Sequence, residues 1–194
     1  MKSVIISIKP RWCSLISSGR KTIEVRKTKP RIKPPFKCYV YCTRPHTKNP
    51  HEILEIHSPE GKIFRANGKV IGEFVCDKVT NLFADSRLWL NEDYVTQSCL
   101  TADDIRKYAG GAERIYGWHI SDIVIYDNPR DISELRAICR HYDDGHCGGC
   151  KYYDYANNES YHYEECAVDG LKPIARPPQS WCYTEEPQNS SGED

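Results

Sequence analysis

The sequence predicts an α+β protein: a mixed β-barrel with a few short helices and a small cysteine-rich segment stapled by zinc. Three observations lead there. Short runs of β-branched and aromatic residues, separated by Pro- and Gly-bearing turns, recur along the first 130 residues, the rhythm of several short strands. Only two or three stretches carry helix start and stop signals, too few for helices to cover a parallel doubly wound sheet. Five of the ten cysteines crowd into residues 139–182, a spacing that suggests a metal site.

Residues 3–8, SVIISI, alternate as a strand. Pro10 stands where the first helical turn tolerates proline, and RWCSLISSG reads as a helix stopped at Gly19. TIEVRK (22–27) has the period of two of a second strand, KTKPRIKPP (27–35) is a loop, and FKCYVYCT (36–43) is the clearest strand. After the loop 44–52, EILEIHSPEGKIFRAN (52–67) reads as a hairpin turning at Ser58–Gly61, and KVIGEFVCDKV (69–79) as one long strand. LTADDIRKYAGG (100–111) is a helix with a capping box, Thr101 and Asp104, closed by glycines. IYGWHISDIVIYD (115–127) reads as one or two strands, and DISELRAIC (131–139) as a second capped helix, with Asp131 and Glu134 as the box. RPPQSWCYTEE (176–186) recovers a strand-like tone, and 187–194 has the composition of disorder. The implied division is a barrel over 1–138, a zinc-binding segment over 139–175, a final strand over 176–186 returning to the barrel, and a tail.

At 194 residues the chain fits one domain with a modest appendage. No stretch approaches the ~20 apolar residues of a membrane span, and the N-terminal apolar run is too short for a signal peptide, so a cytoplasmic protein is expected. The formal net charge is zero, yet it is unevenly spread. Residues 1–50 hold 13 Lys/Arg against a single acid, Glu24, and the remainder holds 14 against 26. A cationic face suits phosphate, whereas a neutral whole makes a poor indiscriminate polyanion binder.

The segment SGRKTIEVRK carries Gly19, Lys21, Glu24 and Arg26 as G-x-K-x-x-E-x-R directly after the first helix. With SIKPRWC before it, YVYCT, YGWHISDIVIYD and RPPQSWCYTEE, it resembles the ASCH domain of the PUA-like superfamily, in a group frequent in Firmicutes and their phages. The resemblance covers roughly residues 1–130 plus 176–186. It implies a small PUA-like barrel with a cleft that holds a base, and a protein that binds RNA. A subgroup that hydrolyses the acetyl amide of acetylcytidine uses a Lys, a Thr and a distant Glu. Lys21 matches that Lys, but Glu24 stands at the Thr position. Glu73 and Asp104 are the candidates for the distant acid.

On TIEVR, Ile23 and Val25 should enter the core while Glu24 and Arg26 share the other face. Lys21 and Arg26 can contact phosphate or a carbonyl, and Glu24 can accept from an exocyclic amine or a sugar hydroxyl. In an enzyme Lys21 would serve as base and Glu24 as proton carrier. Trp12, Tyr41, Trp118 and Trp181 are candidate stacking surfaces, and Lys9, Thr43 and Ser180 lie inside the same motifs. His119 follows Trp118 and faces the opposite way as a structural histidine, and Trp89 is assigned to packing.

Cys147-Gly-Gly-Cys150 is a C-x-x-C knuckle whose small residues let backbone N–H groups approach thiolate sulfur, as tetrahedral zinc requires. Cys166 would be a third ligand and Cys139 the fourth, with Cys182 as its alternate. Four thiolates leave no open coordination position, so the metal would be structural. Residues 140–175 carry few aliphatics, and metal binding would supply their folding free energy. Three functions are open: binding of RNA or a modified nucleobase or nucleotide in a basic aromatic cleft, a ribonuclease or nucleoside amidohydrolase using Lys21 and Glu24, and a phage-type nucleotide-sequestering protein.

Overall fold

The computed structural model describes residues 2–45, 52–57, 59–83, 90–138 and 173–185. Strand β1 (Ser3–Ile8) is buried at every position because both faces are covered: Val4, Ile6 and Ile8 enter one core cluster and Ile5 another. Helix α1 (Pro10–Ser17) starts with Pro10 in its first turn. It ends where Gly19 takes φ +72 and donates its N–H to Ile16 O at 2.9 Å, a conformation glycine adopts without steric cost. Strands β2 (Ile23–Arg26) and β3 (Phe36–Cys42) follow. A small hairpin pairs β4 (Glu55–His57) with β5 (Ile63–Arg65).

The expected long strand over 69–79 divides. Strand β6 (Lys69–Cys76) stays in the main sheet, and after Asp77 and Lys78 the chain enters β7 (Val79–Asn81) of a second sheet. Helices α2 (Glu92–Ser98) and α3 (Ala102–Ala109) come next, α3 with the Thr101–Asp104 capping box in place. Strand β8 (Tyr116–His119) belongs to the second sheet and β9 (Ser121–Arg130) to the first. Of the helix expected over 131–139, the described residues 131–138 form a single 3-10 turn, Ile132–Glu134, followed by strand β10 (Arg136–Ala137). Asp131 and Glu134 do form the box. Pairing of Arg136 with Glu185 and Ala137 with Thr184 then takes the chain into the sheet, an override of local helix signals by long-range pairing. Strand β11 (Trp181–Glu185) closes the described chain against β1.

The main sheet has the order β10-β11-β1-β3-β6-β9, and β2-β8-β7 form a separate three-stranded sheet. The pair β1–β3 is parallel, and the other pairs are antiparallel. The parallel pair needs a long crossover, which α1, β2 and the loop 27–35 provide. Among the described residues the strands do not close into the barrel expected from the sequence. Instead β8 and β9 turn a corner through Ile120, with Asp122 at φ 47, and the two sheets share that corner. Close approach shapes the main sheet as well: a Cβ on Gly72 would lie 2.2 Å from Val124 O of the neighbouring strand.

Among the described residues, three apolar clusters form the core. Val4, Ile6, Ile8, Cys13, Ile16, Phe36, Cys38, Val40, Phe74 and Trp118 pack between the main sheet, α1 and the second sheet. Ile23, Val25, Leu82, Ile105 and Ile115 pack on the far side of the second sheet under α3. Ile5, Tyr39, Tyr41, Ile132, Leu135 and Ile174 cover the outer face of the main sheet. Burial of each large aliphatic contributes about 1.5–3 kcal/mol. Among the described residues no helix is long and apolar enough to cross a membrane.

Candidate ligand-binding site

Strand β2 separates its side chains by parity. Ile23 and Val25 enter the apolar cluster under α3, while Glu24 and Arg26 turn toward the space between the sheets. Antiparallel partners share a face, and Glu24 stands opposite Trp118 and Arg26 opposite Tyr116. All four residues of β2 are buried, so this face sets two charges among aromatic rings.

Those charges belong to a triad. One Glu24 oxygen lies 3.0 Å from the Arg26 guanidinium and the other 3.3 Å from Lys21 Nζ. Lys21 is only 2% exposed and also donates to Ile23 O at 2.8 Å and Ser98 O at 2.7 Å. Its three donors are thus engaged, and the ammonium staples the end of α2 to β2. Arg26 donates to Ser7 O at 2.6 Å and to Ser180 Oγ at 3.4 Å, which links β2 to β1 and to the approach to β11. The motif has a mechanical reading: Gly19 turns the chain, Lys21 and Arg26 grip from two sides, and Glu24 holds both.

Two donors of the cluster have no partner among the described residues: Arg26 Nε and the indole N–H of Trp118. Trp118 is fully buried, with Phe36 edge-on at 5.8 Å and Trp181 tilted at 59° with centroids 5.7 Å apart. Trp181 is half-buried, and its indole N–H reaches Thr28 Oγ1 at 3.0 Å. Trp12, on α1, lies with its ring 5.2 Å from Lys21 Nζ and 4.7 Å from the Arg11 guanidinium, distances of cation–π contact. Beneath the triad sits Cys13. Burial, the neighbouring Cys42 thiol and the Glu24 charge push its thiol well above the ordinary 9.0.

The structure therefore brings together Trp12, Lys21, Glu24, Arg26, Trp118, Ser180 and Trp181. Tyr41 it places elsewhere: the strand's parity puts Phe36, Cys38, Val40 and Cys42 in the cluster between the sheets, and Tyr39 and Tyr41 on the outer face. Burial raises the Tyr41 phenol above its usual 10.0. Lys9 is exposed ahead of α1. Thr43, half-buried past the end of β3, uses its N–H on Ile8 O. Glu73 is engaged by Lys37 at 2.9 Å and Tyr126 at 2.5 Å on the outer face, and Asp104 is engaged with Thr101 in the α3 cap, so neither candidate for a distant acid joins the triad. His119 faces away from Trp118 and pairs with Asp77 at 2.6 Å.

Sequence reading did not anticipate Ser7, Ser98, Thr28 or Phe36. Ser7 also donates through Oγ to Pro178 O at 2.6 Å and through its N–H to Ser180 O at 2.8 Å. The one local signal for it is a serine set between aliphatic residues within β1. Nothing local signals Ser98, whose contact is through backbone.

Cys139, Cys147, Cys150 and Cys166 lie outside the described residues, as does Trp89. Cys182 sits half-buried in β11 against the outer-face cluster, its thiol pushed by burial from 9.0 to about 11. No cluster of three metal-ligating side chains occurs among the described residues.

No protein-family model matches this sequence, and no curated protein matches it significantly. Solved structures do. The ASCH protein of Zymomonas mobilis is similar over 93% of this chain and 86% of its own, with a TM-score of 0.53 at 19% identity. A single-substitution variant of that protein matches over 93% and 87%, with a TM-score of 0.50 at 19% identity. A likeness at this identity is one of fold, and it agrees with the two-sheet arrangement and the short helices described above. The chain has the fold of the ASCH domain.

Proposed function

We propose that this protein binds RNA, or a modified nucleobase or nucleotide, with a base held at the Glu24–Arg26 face and phosphates on the loop 27–35. The observation that supports this most is where the triad lies. It is flanked by Trp12, Trp118 and Trp181, and half-buried Trp181 is hydrogen-bonded to Thr28 inside a loop whose Lys27, Lys29, Arg31 and Lys33 are all exposed. A planar ligand beside the rings would have its backbone led out over that loop. Stacking contributes about 1–3 kcal/mol per base, and each neutralised phosphate lowers the logarithmic salt slope of a single strand by about 0.7.

The test is binding of a single-stranded RNA oligomer across a salt series, with wild type and a K27A/K29A/K33A variant. Three to four phosphate contacts give the wild type a slope of about −2 to −3, and the variant should be weaker and markedly shallower. Absence of binding at low salt, or an unchanged slope in the variant, would refute the reading. The oligomer is examined for cleavage afterwards; cleavage would make the protein a ribonuclease.

A further inference from the structure

We propose that the site selects the carbonyl edge of a base, as in uracil or hypoxanthine, over the amine edge of cytosine or adenine. This rests on the base-binding reading above. Three observations carry it. First, among the described residues the buried side-chain polar atoms without partners are Arg26 Nε and Trp118 Nε1, and both are donors. Buried donors left unpaired are rare because each loses its hydration without compensation, so the face is complete only when an acceptor arrives. Second, the acceptor at the centre of the face is already in use: Glu24 gives one oxygen to Lys21 and the other to Arg26. Third, the triad sets two cations against one carboxylate, all three less than a tenth exposed, and excess buried positive charge favours an electronegative ligand atom.

These points decide between edges. Uracil and hypoxanthine present a carbonyl oxygen where cytosine and adenine present an exocyclic amine. A carbonyl turned to this face receives an N–H from Trp118 or Arg26 and draws on the excess positive charge. An amine turned to it sets its own N–H groups against donors and cations. Register supports a joint reading by the two donors: Glu24 is opposite Trp118 and Arg26 opposite Tyr116, so Arg26 and Trp118 are diagonal neighbours on one face. Entry is past Trp181, which is half-buried and packs directly on Trp118. A turn of that side chain breaks its single bond to Thr28 and uncovers the indole beneath.

The experiment is calorimetric titration of the full chain with UMP, IMP, CMP and AMP, and with short U and C homo-oligomers, for wild type, W118F and R26K. Trp118→Phe keeps a ring and removes the N–H; Arg26→Lys keeps the charge and removes Nε. The expected result is UMP and IMP binding at least about 10-fold more tightly than CMP and AMP, as one well-placed base contact provides, with the preference lost in either variant. The mononucleotides and oligomers separate a free-nucleotide site from one that reads a base within RNA; the preference should hold in whichever set binds. Equal binding of all bases, a preference for the amine bases, or an undiminished preference in R26K would overturn the inference and leave base binding standing. No binding of any nucleotide or oligomer would overturn both. Thermal unfolding of W118F identifies a folding failure, in which case R26K decides.

Discussion

Replacing Glu24 by Gln tests whether the triad is a single buried electrostatic unit. The substitution preserves shape and one carbonyl acceptor but removes the negative charge. Lys21, 2% exposed, and Arg26, 7% exposed, would then be two like charges without an ion partner among the described residues. Removing one member of a buried ion pair costs about 3–5 kcal/mol, since the remaining charge stays desolvated. Two features decide where in that range the cost falls. Lys21 keeps its bonds to Ile23 O and Ser98 O, and Arg26 keeps Ser7 O, which favours the lower end. Both cations lose their carboxylate at once, which pushes upward. About 3 kcal/mol is the expected loss, a change of about 150-fold in the folding equilibrium. For a chain of this size it corresponds to about 6–12 °C in melting temperature. Urea unfolding of wild type and E24Q at neutral pH measures it, and the m-value shows whether the denatured state has changed. A loss below about 1 kcal/mol would mean that water screens these charges as it does surface pairs, and it would remove the electrostatic basis of the proposed site.

The remaining predictions concern alkaline pH and metal. Burial pushes Cys76 from 9.0 to about 12 and Cys182 to about 11, and burial together with Glu73 raises Tyr126 above its usual 10.0. The folded state holds protons that the unfolded state releases, so this stabilisation is fully present below about pH 9 and is lost as pH rises through 11 to 12; denaturation midpoints followed from pH 8 to 11 should fall above 9, and a flat profile would contradict the burial of these groups. The spacing of Cys139, Cys147, Cys150 and Cys166 leads us to propose one structural zinc. Metal analysis should find one equivalent per chain, and chelation should leave the thermal transition of the sheets in place; cooperative loss of the whole fold would refute the appendage.

Local rules carried much of this fold. The alternation in SVIISI and TIEVR, Pro10 and Gly19 around α1, and both capping boxes appear where the sequence places them. The pairing of Glu24 and Arg26 on one face follows from the period of a strand alone. What local rules miss is decided at a distance. In FKCYVYCT both faces are buried, so hydrophobicity has no contrast by which to assign Tyr41 to the inner or outer side. Residues 131–138 present a helix start, and only pairing with β11 from across the sheet draws Arg136–Ala137 into a strand instead. The same is true of 69–79, where Gly72 must pack on β9 and Val79 on Trp118 of the other sheet. Helix α2 has no apolar period; its signal is Asn91, whose side chain caps Asp93 N at 2.8 Å ahead of two acids.

The site combines both kinds of information, and this bears on what the motif does. Lys21 invites a catalytic reading because a lysine beside a glutamate resembles an acid–base pair. The structure commits its ammonium to Glu24 and to two carbonyls from separate elements, β2 and the end of α2. A lysine so engaged positions the carboxylate and pins the helix. Among the described residues, the buried groups free to meet a ligand are Arg26 Nε and the Trp118 indole N–H, donors contributed by facing strands. A K21M substitution should therefore act first through stability, by leaving the carbonyls of Ile23 and Ser98 without a donor at about 1–3 kcal/mol each. W118F, which leaves both carbonyls their donor, should remove the ligand preference in the folded protein, beyond the stability cost of a smaller buried ring. If the two effects were reversed, the assignment of gripping residues and contacting residues made from this geometry would be inverted.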